Sequence, residues 1–145
     1  MICVDASVAA KWVLPEEYSD RALALYTATI ETGEPIVAPT LLPIEVANVM
    51  RQRMVREHLS LADATQLFSQ FLRFPITYPA ADHLSLRALS LAATYNLPAV
   101  YDAQYLALAE ELSCPLWTAD RRLLHAVLSK LSYVHAISDY PVHGT

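Results

Sequence analysis

The chain has 145 residues and a net charge of −5, with 54% hydrophobic and 17% charged residues. This length predicts a single domain over residues 1–145, and the hydrophobic content excludes a disordered chain. Only two glycines are present, Gly33 and Gly144, so the glycine-rich loops of P-loop NTPases and of dinucleotide-binding enzymes are excluded.

Short apolar runs alternate with helical stretches along the chain. The pattern predicts, in order, a strand at 2–4, helices at 7–13 and 19–31, a strand at 36–38, helices at 41–57 and 61–71, a strand at 76–78, a helix at 81–95, a strand at 99–101, a helix at 102–112, a strand at 116–118, a helix at 120–128 and a strand at 133–136. Thr40 and Ser60 are the expected N-caps, and Asn96 the expected C-cap. Such alternation is typical of a parallel sheet with right-handed crossovers. We therefore expect a three-layer α/β/α fold with a short-stranded parallel sheet.

Three aspartates recur in one context. Asp5, Asp102 and Asp120 each follow a predicted strand and precede a helix. In open α/β sheets, ligands bind at the carboxyl ends of the strands, so the three acids are expected to converge there. Each could instead be a helix N-cap, a position that aspartate favours. Three such caps at one sheet edge would repel one another, which favours a cation among them.

Glu45 is the fourth candidate. It lies on the longest predicted helix between apolar neighbours, and a buried glutamate is unusual unless it is paired or bound to a metal. The alternative is a surface glutamate on an imperfectly amphipathic helix. Asn48, one turn further on, is a lower-ranked candidate for the same site.

A site made only of carboxylates suits the hard cations Mg²⁺ and Mn²⁺, which activate water and stabilise charge on a phosphodiester. Ser7 and Thr118 lie beside the acids, where they could hydrogen-bond a carboxylate or a metal-bound water. Turn or cap hydrogen bonding is their alternative role.

The acids lie in four short motifs that resemble those of the PIN-domain nucleases, and within them the VapC-type toxins of toxin–antitoxin pairs. The motifs are residues 4–8 (VDASV), 45–48 (EVAN), 101–109 (YDAQYLALA) and 118–123 (TADRRL). All four match in order and together span nearly the whole chain.

The resemblance implies a PIN-like fold and a Mg²⁺- or Mn²⁺-dependent endoribonuclease, often dimeric and silenced by a cognate antitoxin. It assigns catalysis and metal binding to Asp5, Glu45, Asp102 and Asp120. Some relatives carry a further acidic or amide residue after the fourth motif. This chain has Arg121, Arg122 and Leu123 there, so a fifth acidic ligand is not expected.

Two other functions stay open. A receiver-like regulatory domain also holds Mg²⁺ in an acidic pocket, but it needs an adjacent acidic pair early in the chain, and Asp5 has no acidic neighbour. A catalytically silent PIN-like binding module would not need all four acids. The acidic net charge argues against a nucleic-acid binder unless bound cations offset it.

Two sequence features bear on location and partners. Cys3 and Cys114 are far apart and form no CxxC motif, which favours reduced thiols and a cytoplasmic protein. The chain has no run of about 18 apolar residues, so no membrane partner is expected. The high hydrophobic content of so short a chain favours self-association.

Overall fold

A single five-stranded sheet forms the centre of the molecule. The computed structural model describes residues 1–142, so the last three residues of the expected domain lie outside the described part. Within it, parallel strands run in the order β3-β2-β1-β4-β5. These are β1 (Ile2–Val4), β2 (Ile36–Val37), β3 (Ile76–Thr77), β4 (Leu116–Thr118) and β5 (Val134–Ala136).

Helices cover both faces of the sheet, which confirms the expected three-layer α/β/α arrangement. In residues 1–142 they are α1 (Ala6–Ala9), α2 (Ser19–Glu31), α3 (Leu42–Glu57), α4 (Leu61–Phe71), α5 (Leu84–Thr94), α6 (Tyr101–Leu112) and α7 (Arg121–Val127). None of these described helices is long and apolar enough to cross a bilayer.

The central strand, β1, is buried on both faces. Cys3 pairs with Val37 of β2 on one side and with Leu116 of β4 on the other, and the side chains of Cys3 and Val4 are fully buried. This explains why the strand has no alternating polar residues, since a parallel sheet covered by helices on both faces has no solvent side.

The strand order creates a crevice beside β1. From β1 the chain builds outward through β2 to β3, then returns to the opposite side of β1 to form β4 and β5. Neighbouring strands at such a reversal send their following segments to opposite faces, which leaves a gap at their carboxyl ends. Asp5 follows β1 and Asp120 follows β4, so both acids lie at this gap.

The expected strand at 99–101 is wrong. The chain bends there and enters α6 at Tyr101, so α5 and α6 form a helical hairpin without a strand between them. Asn96 adopts a left-handed conformation (φ 54°) just after α5, consistent with its expected role at the helix end. Three apolar residues are too few to distinguish a strand from the buried entry to a helix.

The two expected N-caps differ in outcome. The Ser60 hydroxyl accepts a hydrogen bond from the backbone N–H of Asp63 (3.0 Å), so Ser60 caps α4 as predicted. Thr40 is not a cap: α3 is preceded by Leu41, with no side-chain cap, and Pro43 lies in its first turn. Proline lacks an N–H and has a helix-compatible φ, so it reduces the need for a cap at this end.

Candidate active site

Asp5 is the most buried of the four acids, with only 4% of its surface exposed. Its Oδ1 accepts hydrogen bonds from the Ser7 hydroxyl (2.5 Å) and from the backbone N–H of Val8 (3.2 Å), and its Oδ2 accepts one from the Thr118 hydroxyl. Burial raises the pKa of Asp5, the Ser7 and Thr118 hydroxyls lower it, and nearby Asp102 and Asp120 raise it, which together bring it to about 7.

Ser7 and Thr118 also join the two strand ends. The Ser7 hydroxyl accepts from the backbone N–H of Ala119 (2.8 Å), and the Thr118 hydroxyl accepts from that of Asp120 (3.0 Å). Both residues therefore hydrogen-bond a carboxylate, as the sequence suggested. Their bonds cross between β1 and β4, so a purely local turn role does not describe them.

Asp120 caps a helix with one oxygen. Its Oδ1 accepts from the backbone N–H groups of Arg122 (2.9 Å) and Leu123 (3.1 Å) at the start of α7. Its Oδ2 has no hydrogen-bond partner among residues 1–142. The N-cap interpretation therefore holds for Asp120.

Asp102 reaches the cluster from a helix rather than from a strand end. It lies in the first turn of α6 and is half-buried. Burial, and then the neighbouring charge of Asp120, raise its pKa. The structure thus brings Asp102 beside the other acids although the strand predicted before it is absent.

Glu45 lies in the first turn of α3 and accepts a hydrogen bond on Oε1 from the Tyr105 hydroxyl (2.6 Å). Burial raises the pKa of Glu45, the Tyr105 bond lowers it, and Asp102 and Asp120 raise it. The pKa of Tyr105 is itself raised, first by burial and then by Glu45, so this tyrosine stays a neutral donor.

Helix α3 is amphipathic, with 73% of Ile44 exposed and Glu45 only half-buried, so Glu45 is not the fully buried glutamate that its apolar neighbours suggested. Asn48 and Gln52 continue the stripe of Glu45 along the helix, and both line the site. Gln52 was not predicted, although its position seven residues after Glu45 places it on the same face.

Tyr105 is the second residue that sequence reasoning missed. It lies three residues after Asp102, so the two share a face of α6. This spacing could have indicated Tyr105 from the sequence, because two side chains on the same face of a helix point toward the same site.

The four acids enclose a cleft of about 210 Å³. Its remaining polar lining comes from Ser7, Asn48, Gln52 and Tyr105, and no lysine or arginine of residues 1–142 takes part. None of the four acids is ion-paired within the described chain. The cleft is therefore lined by four carboxyl groups and by no lysine or arginine of the described residues.

The donor set fits a hard divalent cation. In residues 1–142 no three acidic, histidine or cysteine side chains form a ready-made metal cage. Mg²⁺ does not require one, because it keeps several waters and uses one or two carboxylates together with substrate phosphates. The available oxygens, such as Oδ2 of Asp120, match that demand.

Comparison with known proteins identifies the family. The PIN domain family model matches residues 2–127. VapC ribonuclease Mb0985 of Mycobacterium bovis is 36% identical over 124 residues, which cover 85% of this chain and 88% of the relative. Ribonuclease VapC12 of Mycobacterium tuberculosis is 33% identical over 123 residues, covering 85% and 89%.

A solved structure shares the fold. The crystal structure of PAE2754 from Pyrobaculum aerophilum superposes with a TM-score of 0.67 and covers 94% of this chain and 90% of that one. The identity is 23%, so this likeness concerns the architecture alone.

The raised pKa of Asp5 predicts a pH-dependent gain in stability for Asp5→Asn in chelator. The pKa is about 7 in the folded state against 3.8 for the ordinary group. Between these values the folded state holds a proton that the unfolded state releases, so wild-type stability falls as pH rises from about 4 to 7. Asparagine does not titrate, so the stability of the variant relative to wild type should rise by a few kcal/mol (order of magnitude) from pH 5 to pH 8.

Urea unfolding in EDTA at the two pH values measures this difference. Asp63→Asn, a change of the same kind at an exposed position on α4, serves as the control and should show no comparable gain. A stability difference between Asp5→Asn and wild type that is the same at pH 5 and at pH 8 would contradict the prediction.

Proposed function

The chain belongs to the PIN-domain family, and from its acidic cleft we propose that it is a divalent-metal-dependent endoribonuclease of the VapC type. The observation that carries the proposal is the gathering of Asp5, Glu45, Asp102 and Asp120 at the switch point of the sheet, without a cationic partner in residues 1–142. Its relatives in Mycobacterium are named ribonucleases, which supports the same reaction class.

Mg²⁺ or Mn²⁺ is the proposed cofactor, held by Asp5, Asp102 and Asp120, with Glu45 as a further ligand or as the residue that orients the attacking water. When bound, such an ion neutralises charge on the phosphodiester and makes water a stronger nucleophile. The oxygen-only lining supports this choice over a softer metal.

The protein side chains have separate roles at the proposed metal site. Three hydrogen bonds hold the Asp5 carboxylate in one orientation, so it acts as a rigid anchor. Asp120 is held by its cap bonds through Oδ1 and presents Oδ2. Tyr105 occupies Oε1 of Glu45, which leaves Oε2 to orient water, and the raised pKa of Glu45 makes it a better proton acceptor.

The proposed partners are an RNA substrate, a cognate antitoxin protein and a second copy of the chain. The VapC names of the relatives support the antitoxin. Leu86 and Leu89 on α5 and Tyr101 on α6, which packs along it, are 81%, 60% and 63% exposed. Exposed apolar side chains of this size support a symmetric dimer, in which one surface is used twice. Two free, buried thiols support a reducing compartment such as the cytoplasm.

Cleavage of RNA should require the cation. Purified protein with Mg²⁺ or Mn²⁺ is expected to cut RNA and to stop in EDTA, and Asp102→Asn should lose about a hundredfold or more in kcat, whereas Asp63→Asn should retain full activity. Mn²⁺ at a hundred times its Kd should stabilise wild type by about 2.7 kcal/mol. Gel-based cleavage and thermal melting measure the two effects. Undiminished cleavage in EDTA would rule out the metal-dependent mechanism.

Tyr105→Phe tests the orientation of Glu45. A hydrogen bond to a charged group contributes about 1.5–3 kcal/mol, so kcat should fall by about tenfold or more. Because the Tyr105 bond lowers the pKa of Glu45, its loss should move the acid limb of the pH–rate profile to higher pH. Tyr133→Phe removes a hydroxyl bonded to the Leu106 carbonyl (3.2 Å) and should leave the profile in place. An unshifted profile in Tyr105→Phe would argue against the assignment.

Leu86→Glu tests the dimer. A charge on a self-complementary patch is introduced twice across the interface, so this variant should elute as a monomer where wild type is a dimer. Leu72→Glu, at a position 57% exposed beyond the end of α4, is the control and should remain dimeric. Light scattering at micromolar concentration gives the masses, and a monomeric wild type would refute the self-association.

A further inference from the structure

A second groove opens on the other side of Asp102 and Asp120. Its volume is about 430 Å³, and these two acids line both it and the acidic cleft. Its other polar lining includes Arg122, His125 and Lys130, with the ring of Tyr95. We call it the basic groove. The two depressions therefore share one pair of carboxylates, and only the second also carries cationic side chains.

The cations of the basic groove are free to take an outside partner. Arg122 and Lys130 are exposed, and neither has a carboxylate within 4 Å in the described chain. Arg53 and Arg87, by contrast, are held by glutamates. In a chain with a net charge of −5, two unpaired cations beside an acidic site form a local attraction for an anion.

The backbone of Arg122 is fixed relative to the acids. Its N–H donates to Oδ1 of Asp120 (2.9 Å). The hydrogen bond that orients Asp120 therefore also fixes the position of the Arg122 backbone. An arginine in the first turn of a helix opposes the helix dipole, so helix stability does not account for it. Its neighbour Arg121 points elsewhere, toward Glu17 (3.6 Å), and does not line the groove.

An aromatic surface accompanies the cations. The Tyr95 ring is half-buried in the groove wall, and the Lys130 ammonium lies 5.9 Å from the ring centroid. A cation beside an aromatic ring is the combination that binds single-stranded nucleic acids, with the phosphate on the cation and the base on the ring. An acidic peptide would use only the cations and would gain nothing from the ring.

We propose that the basic groove binds the RNA nucleotide adjacent to the scissile phosphate, with Arg122 and Lys130 on its phosphate and Tyr95 against its base. This inference rests on the proposed ribonuclease function for the meaning of the scissile position. Because Asp102 and Asp120 line both depressions, the scissile phosphate lies over the carboxylates of the cleft and the phosphate of the adjacent nucleotide reaches Arg122 and Lys130.

The test measures RNA binding separately from cleavage. All proteins carry Asp5→Asn to keep the RNA intact, and the probe is a fluorescein-labelled 12-nucleotide RNA of mixed sequence in Mg²⁺ buffer. Fluorescence anisotropy should show the Arg122→Ala/Lys130→Ala pair weakening binding by about tenfold or more. The slope of log K against log salt should become shallower by about 0.7 for each phosphate that the protein no longer neutralises. Tyr95→Ala should weaken binding by about fivefold or more without changing that slope.

Arg121→Ala is the control for the Arg122 half of the pair, because it removes one positive charge from the same helical turn outside the groove. It should bind within about twofold of its parent, and thermal melting should show that every variant is folded. In the otherwise wild-type enzyme, the groove substitutions should raise KM more than they lower kcat.

Equal affinities and salt slopes for the Arg121 variant and the Arg122/Lys130 variant would overturn the proposal that the basic groove binds RNA. Failure of the Asp5→Asn parent to bind the probe at low salt would overturn it as well. Displacement of the RNA by a 12-residue polyglutamate at similar concentration would overturn it in favour of an acidic protein segment. These outcomes differ from failure of the proposed function, which is an absence of metal-dependent cleavage by wild type whatever the groove variants bind.

Discussion

The buried carboxylate of Asp5 is the constraint on which the rest of the site depends. A carboxylate this deep is costly unless its oxygens are hydrogen-bonded, and here Ser7, Val8 and Thr118 satisfy it. The same two hydroxyls accept from the backbone after β4. One buried acid therefore holds the end of β1, the start of α1 and the loop that carries Asp120 in a single arrangement.

Local stability and chemistry use the same atoms in this site. Asp5 and Asp120 each satisfy backbone N–H groups at a helix start, which stabilises the fold by about 1 kcal/mol for each cap. Burial first, and then the charges of Asp102 and Asp120, raise the pKa of Asp5 and oppose its full ionisation. The caps thus fix the positions of groups that repel one another, and a cation is the natural complement to that repulsion.

The cations of the basic groove bear on how an acidic protein could act on RNA. Asp102 and Asp120 form the boundary, with uncompensated carboxylates on one side and Arg122 and Lys130 on the other. A bound cation would neutralise the first side, whereas the second attracts phosphate without one. The net charge of −5 therefore says little about the local field that a phosphodiester meets.

The sequence by itself determined the parallel α/β class and predicted the four candidate acids, because strand–helix alternation and acids at the starts of helices within short ordered motifs are local patterns. The sequence wrongly predicted a strand before Asp102, since the apolar run at 99–101 does not distinguish a strand from the entry to a helix. Only the tertiary structure decided that Tyr105 bonds Glu45 across 60 residues, that Ser7 and Thr118 bond Asp5 together, and that Arg122 and Lys130 share a groove. These contacts join segments distant along the chain, and their geometry depends on how the helices pack against the sheet, which no local pattern encodes.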